Sequence, residues 1–228
     1  MSALTLRQKI KPPCQVDASL LSPRHLANKS RAEVERIELI GWNQSFAIGD
    51  LFAIGGNDAG RLRLQDLDGS FYRVGFGLQE GSITVSGNAG DYAGESMAGG
   101  ALVVKGNAGA YLGADLRDGA IEVIGDAGAF VGSGRAGSLR GMSGGTIIVR
   151  GNAGARAGDR MRRGLLIVEG AVGDYCAARM IAGTLVALGR AGALPGYLMR
   201  RGTLILGDAS AALAPTFNAS GDASLLAL

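Results

Sequence analysis

The chain has 228 residues, enough for one domain of ordinary to large size. An apolar content of 47% with a net charge of only +3 excludes a disordered chain, and 39 glycines with five prolines and no Gly-X-Y period exclude collagen. Basic and acidic residues, 23 and 20, are mixed along the chain with no recognition motif, so the pI of 9.1 does not indicate a nucleic-acid partner. Two distant cysteines, Cys14 and Cys176, offer no disulfide framework and read as free thiols of a reducing compartment. Met1–Pro13 lacks the apolar stretch of a leader, and no run of about 18 apolar residues occurs. The expectation is a cytoplasmic protein without membrane contact.

The first 59 residues are read as an α+β cap. Leu4–Ile10 has the composition of a strand. Ser30 and Glu33 form a capping-box pattern that opens a short helix reaching Ile37. Phe46–Ile54 reads as a strand broken at Gly49 and Asp50. From Gly81 onward the chain repeats itself. The unit GSITVSGNAGDYAG (81–94) recurs from Gly100, Gly119, Gly145, Gly164, Gly183 and, truncated, Gly202. The intervals are 19 residues except for one of 26, which places a seven-residue insertion at or near Ser133–Arg140. A degenerate unit is expected over Arg61–Leu78. Residues 60–207 form the repeat region and 208–228 a tail, read either as a disordered end or as an arm on a partner.

Each unit opens with an alternating, β-branched stretch such as ALVVK (101–105) or TIIVR (146–150), which reads as a strand. It closes on Gly-[Asn/Asp/Arg]-Ala-Gly, a turn signal with two positions suited to positive φ. Short second strands are expected at Asp91–Ala93, Ala110–Leu112 and Ala129–Val131. One 19-residue unit cannot bury a face alone, but stacked copies can. The second and fourth residues after each opening glycine form apolar ladders from Ile83/Val85 to Leu204/Leu206. A third ladder of Leu78, Met97, Leu116, Met142, Met161, Met180 and Met199 lies three residues before each opening glycine and reads as core. Four or five glycines per unit exclude a helical repeat. The fold expected is all-β: a right-handed parallel β-helix of ~19-residue coils, about 34 Å long for seven coils at ~4.8 Å each, carrying a small amino-terminal cap.

Catalytic chemistry is not legible. His25 is the single histidine and reads as a surface residue of the cap; with two distant cysteines it supplies no metal constellation, so catalytic, cofactor and metal residues are read as none. Gly132, Gly134 and Gly137 fit a dinucleotide spacing, but no helix-forming stretch follows them. Asp115 and Asp118 read as solvated coil corners. Two surface features remain. Arg162, Arg163, Arg200 and Arg201 fall at equivalent corners and, with Arg156 and Arg160, would make a patch for a polyanion or an acidic partner. The third residue after each opening glycine points away from the core, and five of these seven are β-branched and apolar: Val103, Ile148, Ile167, Val186 and Ile205. With Leu165, and widened by Ile124 and Leu188, they would form a stripe covered by another subunit.

The unit resembles the GXGXG repeat family, which includes the carboxy-terminal domain of glutamate synthase and the C subunit of formylmethanofuran dehydrogenases. Ser22, Pro23, Asn28–Ser30, Ile37 and IGDLF (48–52) are similar to the amino-terminal region of that C subunit. The stretch GSGRAGSLRGMSGG (132–145) resembles its long coil. The resemblance covers about residues 4–207 and implies a subunit without catalytic residues in a hetero-oligomer. Its implied partners are an amidohydrolase-like A subunit with zinc, a B subunit and a formyltransferase D subunit. The complex would use tetrahydromethanopterin and a methanofuran-type carrier. Archaeal relatives add molybdenum or tungsten; the excess of arginine over lysine and the abundant alanine favour a bacterial formyltransferase/hydrolase complex. A glutamate-synthase-like domain, a subunit of a true molybdenum or tungsten formylmethanofuran dehydrogenase and a free-standing module for an anionic ligand are the alternatives. Ala177 in place of a turn glycine, Pro195 in a strand and an early Gly207 depart from the pattern in the last coils.

Overall fold

The computed structural model describes residues 2–208, 213, 217 and 218; most of the expected tail at 208–228 lies outside them. The cap and first coil comprise β1 (Ala3–Gln8), β2 (Val16–Asp17), α1 (Pro23–Leu26), α2 (Arg31–Glu35), β3 (Glu38–Gly41), β4 (Gln44–Ala47), α3 (Ile48–Leu51) and β5 (Phe52–Gly55). The repeat region follows as β6 (Asp58–Asp68), β7 (Phe71–Tyr72), β8 (Ser82–Asn88), β9 (Ala98–Val104), β10 (Asp118–Val123), β11 (Ser143–Val149), β12 (Arg163–Val168), β13 (Thr184–Ala187) and β14 (Thr203–Leu206). No helix among the described residues is long and apolar enough to cross a membrane.

One ten-stranded sheet runs in the order β14-β13-β12-β11-β10-β9-β8-β6-β1-β5. From β1 to β14 every neighbour is parallel, one strand per coil, so the fold is a parallel β-helix. The register keeps repeat-equivalent residues side by side: Ile83, Leu102, Ile121, Ile147, Leu166, Leu185 and Leu204 form one column. Both inward ladders are fully buried until the last coil, where Leu204 and Leu206 are half-buried. Met97, Leu116, Met142, Met161 and Met180 are likewise buried, and Met199 packs half-buried at the end. The degenerate unit is a true coil, since Leu62 and Leu64 stand beside Ile83 and Val85.

The cap is more integrated than its sequence suggests. β1 adds a further parallel strand, with Leu4 and Leu6 beside Leu62 and Leu64. Antiparallel β5 then covers its far edge and ends the sheet. The capping box at Ser30 forms as expected, but α2 stops at Glu35, short of Ile37. The break at Gly49 and Asp50 is the single helical turn α3 rather than a kink within a strand.

The expected second strands are not strands. Tyr92, Tyr111 and Phe130 adopt left-handed backbone (φ 59°, 60° and 65°), outside the extended region of a strand, and each sits in a turn or bend. Their amides still bond coil to coil, as from Tyr92 N to Ala110 O at 2.8 Å, and their rings stack 4.7 Å apart. Pro195 sits in the equivalent turn, not in a strand. Its position corresponds to Ala93 and Leu112, whose amides take no part in the coil-to-coil bonding, so the missing N–H costs nothing there.

The Gly-[Asn/Asp] corner also has a different basis from the one its composition suggests. Of the glycines that open this corner, only Gly87 has positive φ (102°). At Gly106, Gly125, Gly151 and Gly170 an Asx side chain and the backbone of the coil before occupy the space a Cβ would need. Asn88 Oδ1 accepts from Asn107 N–H (2.8 Å), Asn107 Oδ1 from Asp126 N–H (2.9 Å), Asp126 Oδ1 from Asn152 N–H (2.7 Å) and Asn152 Oδ1 from Ala171 N–H (2.8 Å). A Cβ on Gly125 would lie 2.2 Å from Asn107 Oδ1.

The insertion leaves the solenoid and returns without disturbing it. Met142 N–H donates to Gly132 O at 3.0 Å, closing the loop at its base, after which β11 resumes the register of β10. Arg135 pins the loop, bonding Asp115 Oδ2 at 2.8 Å and approaching Glu95 Oε1 at 3.5 Å. Glu95 is only 3% exposed and also binds Arg73 Nε at 2.9 Å.

Two substitutions test this architecture by calorimetric melting. Met161→Ala empties a fully buried rung and should destabilise by about 2–5 kcal/mol. Gly125→Ala should cost about 1–3 kcal/mol by overpacking and loss of one Asx bond. Unchanged melting temperatures would contradict the core ladder and the corner ladder respectively.

Candidate functional site

Among the described residues, His25 and Ser22 line an open recess of about 400 Å³ with Arg24, Glu80 and Arg117. His25 is exposed, with Nδ1 2.8 Å from Ser22 Oγ. Cys176 is a buried core rung whose thiol burial pushes up to about 11, leaving it protonated and unreactive near neutrality. Among the described residues, no group of three His, Cys, Asp or Glu is placed to hold a metal ion. Asp115 holds the insertion through Arg135, and Asp118 Oδ1 accepts from Gly119 N–H at 2.8 Å, so both carboxylates serve the coil corners. Gly132–Gly137 opens the insertion, and no helix follows it.

The outward stripe forms in the register expected. Val103, Glu122, Ile148, Ile167, Val186 and Ile205 stand in one column across β9 to β14, and Leu165 flanks it between Thr146 and Thr184. Neighbouring rungs half-bury all of these except Ile205, which is 48% exposed at the last strand. Ile124 and Leu188 are exposed beside them. The stripe is continuous over four coils and then meets an ion cluster. Arg150 Nη2 binds Glu122 Oε1 at 2.8 Å, and its Nη1 binds Glu169. The apolar surface therefore belongs to the carboxy-terminal half of the sheet.

Arg162 and Arg200 share a column. Their amides bond Met142 O and Met180 O in successive equivalents of one corner, with Ile181 between them. Arg163 and Arg201 follow directly and are exposed. Of the two further arginines expected here, Arg160 lines one recess with Arg200, whereas Arg156 turns to the aromatic column. Arg156 lies 5.1 Å over the Tyr175 ring in the aromatic column, and Arg160 Nη1 donates to Ser138 O inside the insertion. Sequence reasoning missed the Glu95 anchor, because it joins residues from three coils; the 19-residue spacing of Tyr92 and Tyr111 was the visible sign of the aromatic stack.

No protein-family model matches the chain. A chain in the X-ray crystal structure of the formyltransferase/hydrolase complex from Methylorubrum extorquens, solved with methylofuran, is 39% identical and superposes with a TM-score of 0.88. That match covers 93% of this chain and 79% of the other. The C subunit of tungsten-containing formylmethanofuran dehydrogenase 2 from Methanothermobacter thermautotrophicus is 35% identical over 100 residues, and that from Methanothermobacter wolfeii 37% over 99. These matches take in 41% of this chain and span only 37% of the length of those curated relatives. On the identity and coverage of the solved chain, this protein belongs to the family of formylmethanofuran dehydrogenase C subunits.

Proposed function

We propose that the chain is a non-catalytic scaffold subunit of a formyltransferase/hydrolase complex in the cytoplasm. That complex would move a formyl group between tetrahydromethanopterin and a methanofuran-type carrier and hydrolyse it to formate. The hydrolytic zinc would belong to an amidohydrolase-like partner, and formyl transfer to a formyltransferase partner. The observation that carries this reading is the likeness along almost the whole solenoid to a chain of such a complex. The surface agrees with it: four consecutive rungs, Ile148, Ile167, Val186 and Ile205, present an apolar strip on an otherwise mixed sheet face.

A strip of this length gains from being covered, and a partner subunit is the proposed cover. Ile148→Asp or Ile167→Asp places a carboxylate in its centre, on side chains that point away from the core. Each variant should keep the wild-type circular dichroism spectrum and melt close to wild type. Each should bind the other subunits about 100-fold more weakly, or not co-purify, because the new charge would be buried unpaired. Normal assembly of both variants in a pull-down would mean that the partner sits elsewhere.

A further inference from the structure

The corner at the amino-terminal ends of the strands combines features that the apolar stripe does not share. Arg117, Ser143, Arg162, Ile181 and Arg200 follow one another there, each amide bonded to the coil before, so three guanidinium groups share a column with ~4.8 Å steps. Arg163 and Arg201 stand beside them, and Arg140 leans in from the insertion. None of these six arginines has an ion-pair partner among the described residues, in contrast to Arg73, Arg135, Arg150 and Arg179. The whole chain has a net charge of only +3, so this corner is strongly positive while the remaining surface is acidic on balance.

The insertion shapes the corner into recesses. Held by Asp115, Glu95 and Arg160, it presents Leu139 at 73% exposure. On one side lies a recess of about 310 Å³ lined by Arg117, Arg140, Ser143 and Arg162, with the Asp115 carboxylate, already bound to Arg135, as its one acidic group. The buried Arg162 Nε faces no acceptor. On the other side a recess of about 470 Å³ is lined by Leu139, Ile181, Leu198 and Met199 together with Arg160, Arg179 and Arg200.

We propose that this corner docks an acidic segment of a partner polypeptide, its carboxylates on the arginines and its aliphatic side chains against Leu139 and Leu198. The proposal rests on the subunit reading above and adds to it a second, electrostatic contact. Charge complementarity selects the occupant. Every cation is a guanidinium, whose planar fork matches a carboxylate in bidentate fashion. The groups interleaved with them in the column, Ser143 and Ile181, are not aromatic, whereas a single-stranded nucleic acid would call for aromatic platforms between the cations. The corner also adjoins the stripe: Arg163 opens β12, and two residues on Leu165 faces outward, so one partner can reach both.

The test is assembly of the purified chain with the other subunits, followed by titration calorimetry at low and high salt. Arg200→Glu/Arg201→Glu reverses two exposed charges that make no side-chain hydrogen bond or ion pair among the described residues, so the variant should melt close to wild type. Its association should weaken by about tenfold or more, and wild-type binding should fall with salt more steeply than that of the variant. A folded variant that binds with wild-type affinity and salt dependence overturns the corner alone. Failure of the wild-type chain to associate would overturn the subunit reading and this proposal with it. Tight binding of a single-stranded oligonucleotide, lost on the same charge reversal, would also overturn it.

Discussion

The structure depends on one constraint: each coil must present its backbone to the next in the same register. Parallel ladder bonds and isolated bridges join Ala89, Ala108, Ala127, Ala153, Val172 and Ala191 in one unbroken series beside the main sheet. Once that series is fixed, every residue stands above its equivalent nineteen positions away, and side chains can only be arranged in columns. A column must then be made of groups content to stack on their own kind. Apolar rungs satisfy this inside, Asx side chains satisfy it at one corner by bonding the next coil's amide, and aromatic rings satisfy it at another.

The same constraint explains where the chain accepts strain. Tyr92, Tyr111, Phe130 and Tyr175 are held in left-handed backbone, which costs roughly 1 kcal/mol or more for a residue with a Cβ. Parallel rings 4.7 Å apart return about 0.5–1.5 kcal/mol per pair. Ala177 shows the limit of such compensation. It takes φ 54° where neighbouring coils use Gly158 and Gly196, and its methyl is buried in the core rather than stacked.

Columns with a regular period were legible in the sequence, because strand alternation and the 19-residue interval independently assign the same residues to the inside. That covers Ile83 to Leu206, the methionine series and the outward stripe. Three things were not legible, each for a physical reason. The left-handed turns imitate short strands, since Tyr, Phe and Val are strand-favouring residues whose conformation is imposed by the stack above. β1 joins the sheet through its pairing with β6, which no repeat announces. Arg73, Glu95 and Arg135 meet only once three coils are superposed, so their ion pairs have no local signature. In the arginine corner the shared column of Arg162 and Arg200 follows from the repeat, whereas the turn of Arg156 onto Tyr175 and of Arg160 onto Ser138 does not.

A solenoid suits the scaffold role proposed for this chain, and the reason is geometric. Catalysis needs unlike groups to converge on a point, whereas stacking spreads like groups along a line. The unlike groups that converge around Glu95 anchor the insertion, and those around Arg150 tie neighbouring coils together. What the columns provide instead is length: an apolar line and a cationic line at fixed spacing on a backbone that cannot bend without breaking its ladder. The insertion is the one place where the period is interrupted, and Met142 N–H restores it at once by bonding Gly132 O. A loop that escapes the register without disturbing it is free to carry a contact that the columns cannot make, and Leu139 beside the unpaired arginines is such a contact.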